Sequence, residues 1–281
     1  MSSLNELKNL DSSKPFFNHK NAVLSAPIRH LFMIGTLEYL SLNKSLKEPN
    51  ILEIGSWFGA STLSWAQGIK EYYKSKGSIS CVDAWISFFD MDLHKENEYA
   101  KEMESLLQSD FAYKAFLHNI GTIDRSIVSQ HYRGQSDNIL PQLKDAIYDI
   151  VFIDADHTYK PVLKDIKNSM RLVKEGGVIC GDDLNMQMNE IDKTHMSENK
   201  EKDFINDPLT KKNYHPGVTL AVHEIFGEVS SWGGFWAMQK KNETWHKFSL
   251  KNMQVIYPNH FTKDHIEKAK SHYNDIKSNI L

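Results

Sequence analysis

The stretch Ile51–Thr62, "ILEIGSWFGAST", decides the fold. Ile51–Ile54 is a short apolar strand interrupted by a single acid, Glu53. Gly55 closes it, Gly59 stands four positions on, and an apolar helix begins near Ser61. Glycines let the chain turn tightly and let a ligand come close to the main chain. The start of the helix offers free N–H groups to an anionic group. A dinucleotide fingerprint would need a glycine where Trp57 stands, and an indole there crowds a pyrophosphate. Glu53 makes sense if it faces a cationic group such as an α-amino group. The alternative is a structural turn whose carboxylate is satisfied within the protein.

Outward from this turn, strands and helices alternate. Downstream, "SISCVDAW" gives a second strand, Ile79–Val82, closed by Asp83. A third is expected at Ser126–Tyr132, a fourth at Ile150–Ile153 and a fifth at Val178–Cys180. Lys160–Leu172 has helical spacing, and "KEGGV" reads as a turn. Upstream, Pro27 suits a first helical turn, and Ile28, Leu31, Phe32, Gly35 and Tyr39 follow at helical spacing. That apolar helix packs on the core or on a second subunit; the sequence leaves both open.

Ser87–Ser109 opens with aromatics (Phe88, Phe89) and acids and continues as a polar helix. Leu184–His215 reads as a long polar segment, the kind of loop found as a lid or binding loop. Val218–Phe226 looks helical, Gly227–Gln239 holds two strand candidates, "MQVIY" is strand-like, and the C-terminus is a polar helix. The expected architecture is α/β: a doubly wound, mostly parallel seven-stranded sheet with helices on both faces. The expected division is an N-terminal helical segment (1–48), a catalytic domain (49–240) and a C-terminal extension (241–281).

Composition narrows the function. The chain has 281 residues, 41% hydrophobic and 25% charged, with a formal net charge of -3. These are ordinary globular values, with no strong field to gather nucleic acid or an anionic membrane. No apolar run approaches a membrane span, and "MSSLNELKNLDSSK" lacks the apolar core of a signal peptide, so a cytoplasmic location is expected. Cys81 and Cys180 lie in strand-like runs and read as two buried thiols.

The residues fit for chemistry fall at strand ends. Asp83 can accept two hydrogen bonds from a ribose diol, or cap a loop. Gly134 and Ser136, in "HYRGQSD", leave room for an adenine ring. "YDIVFIDADHTYK" ends the fourth strand at Asp154, and "GGVICGDDL" ends the fifth at Asp182 and Asp183. If those strands are neighbours, three carboxylates converge. Their repulsion calls for a hard divalent cation such as Mg²⁺, unless the acids cap helices or pair with Lys or Arg. His157, three residues past Asp154, is placed to accept a proton.

In this order and spacing, "EIGSWFGAS", "VD", "GQS" and "DIVFIDADHTYKPVLKDI…GGVICGDD" resemble class I S-adenosylmethionine-dependent methyltransferases, from about Asn50 to Gln239. Within the class they are similar to the metal-dependent O-methyltransferases, above all the group containing macrolide sugar O-methyltransferases, which "HPGVTLAVHEIFG" also resembles. Catechol O-methyltransferase is more distant. The resemblance implies a Rossmann-like methyltransferase fold. It implies that Glu53, Gly55 and Ser61, with Ser56 and Gly59 in the same turn, hold the methionine end of the cofactor. It gives the ribose to Asp83, the adenine to Ser136, and the metal to Asp154, Asp182 and Asp183. His157 stands where catechol-type enzymes carry a lysine, which favours a histidine base and a sugar or other aliphatic hydroxyl acceptor. Inserts near 87–109 and 184–215 are then expected to act as lids. The rivals are an NAD(P)-dependent oxidoreductase, a non-catalytic protein that keeps the cofactor pocket, and a metal-independent or N-directed methyltransferase.

Overall fold

The computed structural model describes residue 7 and residues 9–17, 22–87 and 98–277. Phe88 and Phe89, singled out above, lie outside the described residues. Helix α1 is Pro27–Ser41, strand β1 Asn50–Ile54, α2 Ala60–Tyr73, β2 Gly77–Asp83, α3 Glu98–Gln108, α4 Phe111–Ile120, β3 Ile127–Arg133, α5 Ser136–Ile139, β4 Tyr148–Ile153, α6 Tyr159–Met170 and β5 Val173–Leu184. Then come α7 Lys193–Asn199, β6 Ile205–Asn206, β7 Asn213–Tyr214, α8 Pro216–Phe226, β8 Ser230–Trp232, β9 Gly234–Lys241, β10 Thr244–His246 and α9 Lys263–Ile276.

Seven strands lie in the order β10-β9-β5-β4-β1-β2-β3, and an eighth, β8, pairs with β9. β1 to β5 are mutually parallel, and β9 runs antiparallel beside β5. The order reverses between β1 and β4, so the cleft beyond their carboxyl ends is where a doubly wound sheet takes its ligand.

Side chains alternate between two cores, as a strand's period of two requires. Ile51, Ile150, Phe152, Val178 and Cys180 enter the core shared with α1 and α2. Leu52, Ile54, Val151, Ile153 and Ile179 enter the core shared with α6 and α8. Every strand side chain named here is at most 5% exposed, which is why β1, β4 and β5 read as continuous apolar runs. Helix α1 is buried almost all round: Ile28, Leu31, Phe32, Met33, Ile34 and Leu37 pack within this chain, each contributing roughly 1.5–3 kcal/mol by its burial. Cys81 and Cys180 are buried free thiols on strands separated by β1 and β4.

The structure corrects several local expectations. "KEGGV" is not a turn that starts a strand; it lies within β5, where an irregularity shifts the register between Tyr148 and Ile150 of β4. "MQVIY" is irregular chain, because no strand pairs with it. Helix α4, with Phe111 and Phe116 wholly buried, went unread. Residues 184–215 are far from structureless. They hold α7 and the β6–β7 pair around a small core of Met186, Met188, Ile191, Met196 and Tyr214. Asp192 caps α7 through the N–H groups of Thr194 and His195, and Asp207 gathers those of Asp192, Leu209 and Thr210. Among the described residues, no helix is long and apolar enough to cross a membrane.

Candidate active site

The glycine turn and the aspartate edge touch at one point. Gly55 has φ +86, and a β-carbon there would stand 1.9 Å from the main-chain oxygen of Asp154. The Gly55 N–H donates to Val82 O (2.9 Å) and the Asp154 N–H to Ile54 O (2.8 Å), which knits the ends of β1, β2 and β4 together.

On the turn side, Glu53 is fully buried. Its Oε2 accepts from Thr62 Oγ1, Ser56 Oγ (3.1 Å) and Cys81 Sγ (3.4 Å), while Oε1 is buried with no hydrogen-bond partner among the described residues. Burial pushes its pKa up, and Ser61 stands among the hydroxyls that oppose the rise. A buried carboxylate oxygen without a donor is costly, and an α-amino group would satisfy it, so Glu53 fits the methionine end of S-adenosylmethionine. Asp83 serves the turn itself. Its Oδ2 accepts the N–H groups of Ser56 and Trp57 (both 2.9 Å), and its Oδ1 accepts that of Trp85 (2.8 Å). Trp57 takes φ 46, the left-handed conformation a glycine would fill, and Trp85 Nε1 donates to its carbonyl (2.8 Å). Gly59, φ +85, precedes α2. Ser136 opens α5; burial pushes the pKa of Asp165 of α6 up to about 6, and the Ser136 hydroxyl opposes that rise.

On the edge side, Asp154, Asp182 and Asp183 do converge: one carboxylate oxygen from each lies within 4.8 Å of the others. Strand parity explains only part of this. Asp182 is in phase with Val178 and Cys180 and so faces α1, whereas Asp183 should face the other way. A register shift against β9 between Gly181 and Leu184, with Asp183 at φ 63, turns both acids to the same place.

There they meet Arg29 of α1, which the sequence reading missed. Its Nη1 lies 2.8 Å from Asp182 Oδ1 and 2.6 Å from Asp183 Oδ1, and its Nε donates to Gly233 O (3.0 Å). Ser25 Oγ donates to Asp182 Oδ2 (2.6 Å). Arg29 is only 6% exposed, so this is a buried ion pair. One guanidinium does not balance three acids. The Asp154 carboxylate has no hydrogen bond or ion pair among the described residues; burial, then the charges of Asp182 and Asp183, push its pKa well above the carboxylate range. A carboxylate oxygen that accepts one hydrogen bond keeps a lone pair. The set therefore still fits an oxygen-seeking divalent cation.

His157 does not stand free beside the acids. Its Nε2 is 3.0 Å from Asp183 Oδ2 and its Nδ1 2.8 Å from Asp203 Oδ1. Burial opposes it, but these two carboxylates push its pKa well above the histidine range. His215 joins them, with ring centroids 4.4 Å apart. Gly217 makes that approach feasible: a β-carbon there would lie 2.4 Å from the His157 carbonyl oxygen. Asp203 and His215 also went unread, although "HPGV" had marked the segment. Tyr99, at the start of α3, has its pKa raised by burial and then by the charges of Asp203 and Asp183.

A family model described as "Methyltransferase domain" matches residues 52–184, the span from β1 to the end of β5. Among solved structures, the chain is similar to NovP, an O-methyltransferase (15% identity over 76% of this chain and 80% of that one, TM-score 0.47). It is also similar to an O-methyltransferase from Bacillus cereus in complex with SAH (18%, 83% and 84%, TM-score 0.42). A third is the apo structure of CalS11, a TDP-rhamnose 3'-O-methyltransferase of calicheamicin biosynthesis (15%, 74% and 77%, TM-score 0.40). No curated protein matches the chain. The glycine turn and the switch point both fall within the matched span, so residues 52–184 are similar to a methyltransferase domain.

Proposed function

We propose that the protein methylates a hydroxyl oxygen of a small molecule, with a divalent cation such as Mg²⁺ held by Asp154, Asp182 and Asp183. The observation that carries this reading is the meeting of those three carboxylates at the switch point, with Asp154 left unpaired. A bound divalent cation supplies Lewis acidity, which lowers the pKa of a hydroxyl brought to it.

The chain's own residues do the rest. Glu53 Oε1 receives the α-amino group of the cofactor, with Gly55, Ser56, Gly59 and Ser61 shaping the turn around it. Asp83 lies at the ribose and Ser136 at the adenine; Asp83 already holds protein partners and would share them. Methyl transfer from a sulfonium is an in-line displacement, so alignment of oxygen, carbon and sulfur lowers the barrier most directly. His157 Nε2 is the atom that would hold the hydroxyl proton, once Asp183 no longer engages it. The insert at 184–215 closes over the acceptor, bringing Asp203 to His157. A sugar or other aliphatic hydroxyl is the acceptor class that a histidine at this place suits.

Arg29 favours a second reading: its double ion pair is the internal balance of a metal-independent methyltransferase. A radiolabelled methyl-transfer assay over a panel of sugar and aliphatic hydroxyl acceptors separates the two. Turnover that stops with EDTA and returns with Mg²⁺ is expected. Turnover indifferent to EDTA would sink the metal-assisted reading and leave the second.

A further inference from the structure

Beside the carboxylate set lies a second cluster of different chemistry. His157 of the β4–α6 loop and His215 before α8 both turn Nε2 toward Asp183, at 3.0 Å from Oδ2 and 3.7 Å from Oδ1. Ligand atoms of these three residues all lie within 4.8 Å of one another. Both Nδ1 atoms turn away and are held by one residue. His157 Nδ1 is 2.8 Å from Asp203 Oδ1, and His215 Nδ1 is 2.7 Å from the Asp203 main-chain oxygen and 3.2 Å from its Oδ1.

A histidine that ligates a metal needs its other nitrogen anchored to an acceptor, which fixes the ring and aims the lone pair. Here one residue anchors two rings. We propose that His157 Nε2, His215 Nε2 and Asp183 form a site for a borderline transition-metal ion such as Zn²⁺, oriented by Asp203 and separate in chemistry from the all-oxygen set. Two imidazoles and a carboxylate favour Zn²⁺ over Mg²⁺. The side chains are 30%, 12% and 15% exposed, so an ion can reach them and still find a position for water. The scaffold is firm: Gly217 lets α8 sit against the His157 main chain. The site stands whether or not the reaction reading above is right. Its consequence does rest on that reading: a metal on Nε2 leaves His157 no lone pair for a proton, so zinc occupancy silences transfer.

The test uses the full chain stripped of metal, with zinc titrated against a chromophoric zinc indicator. One equivalent is expected to bind. His157→Gln and His215→Gln should each weaken it at least ~tenfold, and Asp203→Asn roughly tenfold through loss of orientation. Asp154→Asn should leave zinc within about twofold while weakening Mg²⁺ tenfold or more in a separate calorimetric titration. Zinc affinity unchanged by His215→Gln, or lowered as much by Asp154→Asn, overturns the proposal. Should either histidine variant fail to fold, Co²⁺ bound to the wild-type chain decides. Intense visible bands of a low-coordinate nitrogen-bearing site support the proposal; the weak bands of an octahedral all-oxygen site overturn it. The two sets share only Asp183, and His215→Gln and Asp154→Asn each touch one of them alone, so failure of one assignment is not failure of the other.

Discussion

The turn after β1 and the edge after β4 and β5 meet at Gly55 and Asp154, yet they are held by opposite means. The turn draws on two segments, 53–62 and 81–85. Asp83 and Glu53 accept from the main-chain N–H groups of Ser56, Trp57 and Trp85, the hydroxyls of Ser56 and Thr62 and the thiol of Cys81, and charge is balanced by hydrogen bonding. The edge is assembled from distant segments, Ser25 and Arg29, Asp154 and His157, Asp182 and Asp183, and Asp203 and His215, and charge is balanced by opposite charge. A turn built from two segments keeps its shape when the rest of the chain changes. An edge built by ion pairs depends on every segment that supplies one.

Breaking the contact between the two regions should have the largest effect. Gly55→Ala places a β-carbon into the Asp154 backbone at a positive φ, where neither partner is a soft side chain. We expect a loss of roughly 4 kcal/mol or more, read as failure to accumulate folded protein or a collapsed urea midpoint. Next comes Arg29→Gln. Removing one partner of a buried ion pair costs about 3–5 kcal/mol, and millimolar Mg²⁺ should restore part of that loss in a urea melt. Glu53→Gln acts on the turn alone. It should weaken S-adenosylhomocysteine binding roughly 10- to 100-fold by calorimetry, the worth of a charged hydrogen bond, with the melting temperature of the free protein not falling.

The smallest effect sharpens the contrast through histidines. His30, on α1, and His260 have ring centroids 5.9 Å apart. Burial, and then neighbouring histidines, hold both below the usual range, His260 at about 3. A folded pKa below the unfolded one means that protons bind the unfolded chain first. The stability these groups contribute is present above about pH 6.5 and is lost as pH falls toward 3. His260→Phe should flatten that part of a plot of melting temperature against pH; an unchanged slope would count against the assignment.

Much of this was legible in the sequence because it is local. A run such as Ile150–Ile153 admits one secondary structure, and an acid directly after it lies at the carboxyl end of a strand. That sufficed to bring Asp154, Asp182 and Asp183 to one edge and Glu53 to one turn. Arg29 was hidden within an apolar helix whose stripe alone was read; its flanks Ile28 and His30 are wholly buried, and a charged residue between them was the signal. Asp203 and His215 lie in a polar segment whose small core depends on methionines spaced without period, so neither helix nor strand patterning finds it. "KEGGV" carries turn residues, but strand pairing on both sides carries β5 through them.

The irregularity at Asp182–Asp183 reaches beyond this protein's chemistry. A regular strand sorts its residues by odd and even, and two adjacent acids could never share one target. The shift against β9 suspends that parity for a single step. Deleting one residue between Gly181 and Leu184 would restore the alternation only by removing one of the two aspartates, and would leave Arg29 half-matched. Anyone grafting this edge onto another sheet must carry over the kink as well as the side chains.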